Sequence, residues 1–167
     1  MPEARPWKPR PRPRTHEVRT AARALIIRDG RLLAVSMRNA KGRFYILPGG
    51  GQHAGETLQQ TLLRECREEI GCHVIVRDLL YLREYIGKNH NFSPHHRAFH
   101  QLEVVFRCEL PPECDPCNGP NRDNMQEGVA WLELDKIDSY PFFPKAIKHC
   151  FTGDGIRVDP LYMGDIN

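Results

Sequence analysis

Nothing in this chain of 167 residues approaches a run of 18 apolar residues, so no segment reads as a membrane span. The secretory pattern is missing too: the N-terminus is basic without an apolar stretch, and Ala21 to Ile27 is too short and fits a strand better. No internal repeat is present, and the composition excludes a collagen-like, coiled-coil or wholly disordered chain. Six cysteines are too few to staple a small secreted fold, so mostly reduced thiols and a cytoplasmic setting are expected. What remains is a chain long enough to bury one substantial core.

A strong charge of one sign is lacking from most of the chain. The formal net charge is +3, yet residues 1–20 hold Arg5, Lys8, Arg10, Arg12, Arg14 and Arg19 against only Glu3 and Glu17. The basicity therefore belongs to a tail, and the remainder is close to neutral. Pro2, Pro6, Pro9, Pro11 and Pro13 interleave with these cations, which predicts an extended, solvated leader over 1–19 and a single domain over 20–167. Such a tail suits an RNA or acidic partner; a plain mobile leader is the commoner case.

From Thr20 the pattern becomes regular. Ala22 to Ile27 and Arg31 to Ser36 flank Asp29-Gly30 and predict a hairpin. Phe44 to Leu47 predicts a third strand, ending at Pro48 and the glycines Gly49, Gly50 and Gly51, where backbone can approach a ligand closely. Gly55-Glu56-Thr57 opens a helix in which Leu58, Leu62, Cys66 and Ile70 recur every four residues, with Gly71 as its cap. Cys72 to Tyr85, Phe99 to Leu110 and Val129 to Leu132 read as strands, Pro111 to Asp123 as a loop, and Pro144 to Phe151 as a short helix.

The helix carries the chemistry. Glu65, Glu68 and Glu69 stand at i, i+3 and i+4 and project from one face. Arg64 and Arg67 flank them, but each is expected to pair with one or two acids at most, so a hard divalent cation with oxygen ligands is the natural counter-charge. On spacing alone a solvated acidic face is the commoner explanation. The wider context reverses this. Gly50, then Glu56, then Arg64-Glu65-Cys66-Arg67-Glu68-Glu69-Ile70-Gly71-Cys72 resembles the Nudix box in every fixed position, with cysteines at its two bulky apolar positions. The hairpin, the Leu47-Pro48-Gly49-Gly50 approach and the later Trp131-Leu132 strand extend the resemblance over about residues 20–151, leaving the tail and the last fifteen residues outside.

This resemblance implies an α/β Nudix fold: an α/β/α sandwich with a mixed sheet and the box as a loop-helix-loop. It implies Mg²⁺, with Mn²⁺ as a substitute, held by the Gly50 carbonyl, Glu65, Glu68 and Glu69, bridging a diphosphate and activating water. Glu65 is ligand or general base, and Glu68 belongs to the same catalytic set. Glu56 and Arg64 read as a structural ion pair. Relatives often recruit one more acid from outside the box. Glu127 is the first candidate, against an ordinary surface glutamate; Glu103 is the second, since a charge in an apolar strand needs a partner. By alternation Gln101 and Val105 share its face.

The implied activity is hydrolysis of a small-molecule nucleoside diphosphate linked to X, with ADP-ribose or a nucleotide sugar as the expected substrate. An RNA 5′-end pyrophosphohydrolase, a (d)NTP-sanitising pyrophosphatase and a non-catalytic nucleotide- or RNA-binding module are the alternatives. Nucleic acid would be reached only through the tail, and relatives' habits admit a homodimer. Phe44 and Tyr45 are placed to stack on a base, with Arg38 and Arg43 (and Lys41) near phosphates, while the loop from Asn89 to His96 could wall the pocket. Cys108, Cys114 and Cys117 raise a structural zinc, but a fourth ligand is not apparent and an incidental loop pair is the commoner outcome.

Overall fold

Asp29 and Gly30 both take positive φ, 51° and 68°, the geometry a two-residue hairpin needs to match strand twist. That turn joins β1 (Arg19–Arg28) to β2 (Arg31–Asn39) in a computed structural model that describes residues 17–90, 97–153 and 155–167. Most of the expected leader, residues 1–16, and the stretch 91–96 of the expected pocket-wall loop lie outside the described residues. Arg19 does not belong to the leader: it opens β1.

The order continues with β3 (Gly42–Ile46), β4 (Gly49–Gly51), α1 (Leu58–Ile70), β5 (Ile75–Ile86), β6 (His100–Glu109), β7 (Gln126–Glu133), a small hairpin of β8 (Phe151–Thr152) and β9 (Gly155–Ile156), and β10 (Tyr162–Asp165). Eight strands make one mixed sheet in the order β10-β5-β6-β1-β2-β3, with β4 also on β1 and β7 on β2. β1 runs parallel to β6, whereas β4 and β2 pair with it antiparallel. Arg19 to Ile26 pair with β6 and Ala21 to Arg23 with β4, and only Ile27 and Arg28 pair with β2. The two halves of the sheet therefore part beyond that joint, and the cavity described below opens between them.

Alternation along β1 sorts two cores. Ala22, Ala24 and Ile26 pack with Leu62, Cys66 and Ile70 of α1. Leu25, on the other face, packs with Tyr81, Val105, Leu134, Ile137 and Ile147. This second layer is made by 3-10 helices Leu134–Ser139 and Lys145–Cys150; the expected helix over Pro144 to Phe151 is the latter, a 3-10 turn rather than an α-helix. The last fifteen residues are more involved than the motif implies: β10 adds a parallel edge strand to β5, and Ile156 is buried in the second core.

Cys72 and Cys114 form a disulfide, a pairing the sequence did not suggest, which removes Cys114 from any zinc knuckle; Cys66, Cys108, Cys117 and Cys150 are free thiols. Cys66 and Cys108 are buried free thiols, and burial pushes both away from thiolate, Cys108 to about 12. Among the described residues no helix is long and apolar enough to cross a membrane.

Candidate active site

The box helix starts on a reciprocal cap. Thr57 Oγ1 accepts from Gln60 N–H at 3.2 Å, and the Gln60 side chain accepts from Thr57 N–H at 2.8 Å. Just ahead, Glu56 receives both prongs of Arg64, at 2.7 and 3.0 Å, together with the Thr61 hydroxyl at 2.9 Å and His53 N–H at 3.1 Å. The Arg64 bonds, then the His53 amide, hold the Glu56 carboxyl down to about 2. Arg64 also donates to Gly51 O at 3.0 Å, so a single guanidinium joins β4, the loop and α1. Glu56→Gln removes the charge at the centre of this knot. Its melting temperature is expected to fall clearly below that of the parent, and an inactive variant melting like the parent would show that Glu56 acts in chemistry instead.

Besides Glu56, Arg64 meets two of the three box acids: its Nη1 lies 2.6 Å from Glu65 Oε1 and 3.6 Å from Glu68 Oε2. Glu69 stands apart. It is buried and accepts Gly49 N–H at 2.8 Å. Burial pushes its carboxyl up to about 7; Arg23 and the Gly49 amide oppose this, and the charges of Glu65 and Asp123 add to it. Among the described residues no three His, Cys, Asp or Glu side chains are already drawn together as a cage. Two box carboxylates face Arg64 and the third faces Gly49.

These groups fit a hard divalent cation. The donors are carboxylate oxygens beside a backbone whose Gly50 has no side chain, and a Cβ there would sit 2.6 Å from the Glu65 carboxyl carbon. Only glycine lets the carboxylate lie against this turn. All the donor atoms are oxygens, the set Mg²⁺ and Mn²⁺ accept.

Beside the box is a cavity of about 320 Å³, lined on one side by Met37, Phe44 and Ile46 and on the other by Arg19, Arg23, Arg83, Tyr85, Gln101 and Glu103. Phe44 is buried there and meets Phe143 edge-on at 6.1 Å. Tyr45 is not its companion: strand alternation turns it to the second core, where it packs edge-on against Tyr140, also at 6.1 Å. Glu103 is buried between Arg83 at 2.6 Å and Arg23 at 3.1 Å, with Gln101 at 2.8 Å on its own face. Burial works against its charge, but the two arginines outweigh it and hold its carboxyl below the usual range. It is thus a counter-ion rather than a poised base.

Glu127 is turned away from the box helix. Its neighbour Gln126 donates to Glu69 O at 2.8 Å, and by alternation Glu127 points the other way, into Arg38 and Arg43 (2.9 Å). Bonds from Arg38 and then Arg43 hold its carboxyl low. Besides the arginine-paired Glu103, the acid from outside the box that faces the cavity is Asp123, whose charge reaches Glu69. Sequence reasoning passed over it as a loop end. Arg19 was likewise assigned to the tail, yet it lines the cavity with its guanidinium against Gly51, where a Cβ would strike it.

The loop that carries Asp123 is fastened to the last turn of α1. Cys117, Gly119 and Asn121 donate their N–H groups to Ile70 O, Glu69 O and Glu68 O at 3.1, 3.1 and 3.3 Å. These carbonyls are ones the helix end leaves without partners.

The NUDIX domain family model matches residues 17–150, covering the box and every strand of the main sheet except the edge strand β10. The chain belongs to the Nudix family. It is 39% identical over 127 residues to the nucleoside triphosphatase NudI of Salmonella agona, a match covering 73% of this chain and 86% of that protein. It is 29% identical over 123 residues to nucleoside diphosphate-linked moiety X motif 6 of Xenopus laevis, covering 74% of this chain and 52% of that protein. The chain thus spans about half the length of the frog relative, and 36% of that of the mouse one. Among solved structures, a NUDIX hydrolase from Nitrosomonas europaea superposes with a TM-score of 0.62 at 18% identity, covering 86% of this chain and 95% of that one. An ADP-ribose pyrophosphatase from Streptococcus suis gives 0.53 at 21%, covering 76% and 81%. At such identities these two establish a shared Nudix fold.

Proposed function

We propose that this Nudix protein hydrolyses the diphosphate linkage of a nucleoside diphosphate joined to a further group X, with ADP-ribose or a nucleotide sugar as the first substrates to test. The observation that carries this reading is the complete box standing next to an aromatic-walled cavity, the two meeting at Arg23, Leu47 and Asp123. Glu65, Glu68 and Glu69, with the Gly50 carbonyl, would hold Mg²⁺, and the bound ion would supply charge neutralisation at the diphosphate and a more acidic water. Phe44 offers a buried ring face to a base. Arg19, at the cavity edge beside Gly51, is placed for a phosphate oxygen and has the planar donor set that such oxygens favour. Asp123 takes the part first considered for Glu127, an acid from outside the box facing the reacting bond. Arg38 and Arg43 do not line this cavity and are paired with Glu127 instead.

The test is a panel of nucleoside diphosphate derivatives and nucleoside triphosphates assayed with Mg²⁺. Release of a nucleoside monophosphate from at least one NDP-X compound is expected, with EDTA abolishing turnover and Mg²⁺ or Mn²⁺ restoring it. Full activity in chelator would overturn the mechanism, and turnover of triphosphates alone would overturn the substrate class.

A further inference from the structure

Next to the cavity lies a second recess of about 500 Å³. Phe44, Phe143 and Asn167 line both spaces, so the two rings form their common wall. The chemistry changes across it. The recess is lined by Lys41, Arg43 and Lys145 together with Asn39, Asn89 and His90, and among the described residues no Asp or Glu lines it.

The acids closest to these cations are engaged from behind. Glu127 is shared by Arg43 and Arg38, which stand directly opposite each other across β2 and β3, so one carboxylate serves two guanidiniums. Asp165 is taken up by Ile86 N–H, Asn89 and His90 at 2.9, 2.7 and 2.6 Å. Lys145 has no carboxylate of the described residues within ion-pair distance; its Nζ lies 5.2 Å from the centre of the Phe143 ring, which holds the charge against the shared wall. Gathering like charges on one concave surface costs free energy that an incoming anion returns. The lining suits a ligand with an anionic group and a sugar or base face for the rings. The volume suits a small molecule rather than a strand lying across the surface.

We propose that this recess receives the X half of the substrate and selects an X bearing a phosphate of its own, such as a phosphorylated sugar or a second nucleotide, over an uncharged one. The inference rests on the hydrolase reading above and deepens it: the base enters the aromatic cavity, the diphosphate crosses the wall beside the box, and the distal phosphate meets Lys41, Arg43 and Lys145.

The test compares ADP-ribose with ADP-ribose 1″-phosphate, which differ only by a phosphate on the distal ribose. In the parent protein kcat/KM for the phosphorylated compound should exceed that for ADP-ribose by about tenfold or more, as expected for one new charge-assisted contact set. In the Lys41→Gln/Lys145→Gln double variant the ratio should fall to near one. A ratio near one in the parent, or an unchanged ratio in the double variant, overturns the proposal. So does a 5′-diphosphorylated RNA oligomer outperforming both compounds with a steep loss on added salt, which would assign the basic lining to a strand. If the parent turns over neither ADP-ribose compound, the substrate reading fails by itself. Calorimetric titration of the same two ligands onto the parent protein with Mg²⁺ then judges the recess separately: a tenfold tighter Kd for the phosphorylated ligand upholds it, and equal or absent binding overturns it.

Discussion

Glu68→Gln and Glu69→Gln are each expected to reduce turnover by at least about 100-fold, with the protein still folded. Glutamine keeps the shape of the side chain and removes the charge that would hold a divalent cation. The two side chains are held differently in the fold. Glu68 is half-buried and only 3.6 Å from Arg64, so its loss leaves that guanidinium with Glu56 and Glu65. Glu69 is buried and bound to Gly49 N–H, a bond that the glutamine carbonyl can still accept. Neither change opens a cavity, so urea midpoints should stay close to the parent while steady-state rates collapse. Parental turnover in either variant would remove that carboxylate from the proposed metal set.

Glu103→Gln should do the reverse and strike stability first. Its carboxylate is the shared partner of two arginines, which also spend donors on backbone carbonyls: Arg83 on Ile166 O at 2.7 Å, Arg23 on Leu47 O at 3.3 Å and on Gly49 O. Removing the one acid leaves two guanidiniums together in the interior. A loss of about 3–5 kcal/mol in urea unfolding is expected, the usual cost of breaking a buried pair on one side. The pH dependence has a definite sign. The folded carboxyl lies below its ordinary value, so its contribution is fully present above the unfolded pKa of about 4.3 and is lost as pH falls through the lower folded value. The gap between parent and variant should therefore narrow below about pH 4. An unchanged midpoint at neutral pH would show that Glu103 is dispensable to the fold.

Local signals were legible where one residue's chemistry settles the backbone. Asp29-Gly30 marked its hairpin, and Thr57 and Gly71 bracket α1 as the cap and the left-handed stop, the latter at φ 68°. Alternation correctly put Gln101 on the face of Glu103. What could not be read depends on which strand neighbours which. Tyr45 follows Phe44 in sequence, yet one residue of pleat sends them to different cores. Glu127 looked as good as any acid near the last strand until β7 was seen to pair with β2, which sets Glu127 beside Arg38 and Arg43. Asp123 carried no motif at all; its place follows from a loop tied to the end of α1. The bond from Arg64 to Gly51 O depended on the fold of the β4 loop as well as on helical spacing.

The Cys72–Cys114 bond closes a covalent ring whose two joints stand 42 residues apart. In chain-entropy terms such a closure disfavours the unfolded ensemble by about 4 kcal/mol. The ring contains all of β5 and β6, and thus Arg83, Gln101 and Glu103 from one wall of the cavity. One joint is the last residue of the box, and the other lies in the loop leading to Asp123. As long as the bond is oxidised, a single backbone cut anywhere between residues 73 and 113 leaves one molecule. Its two pieces remain linked through sulfur, with the box helix on one and Asp123 on the other.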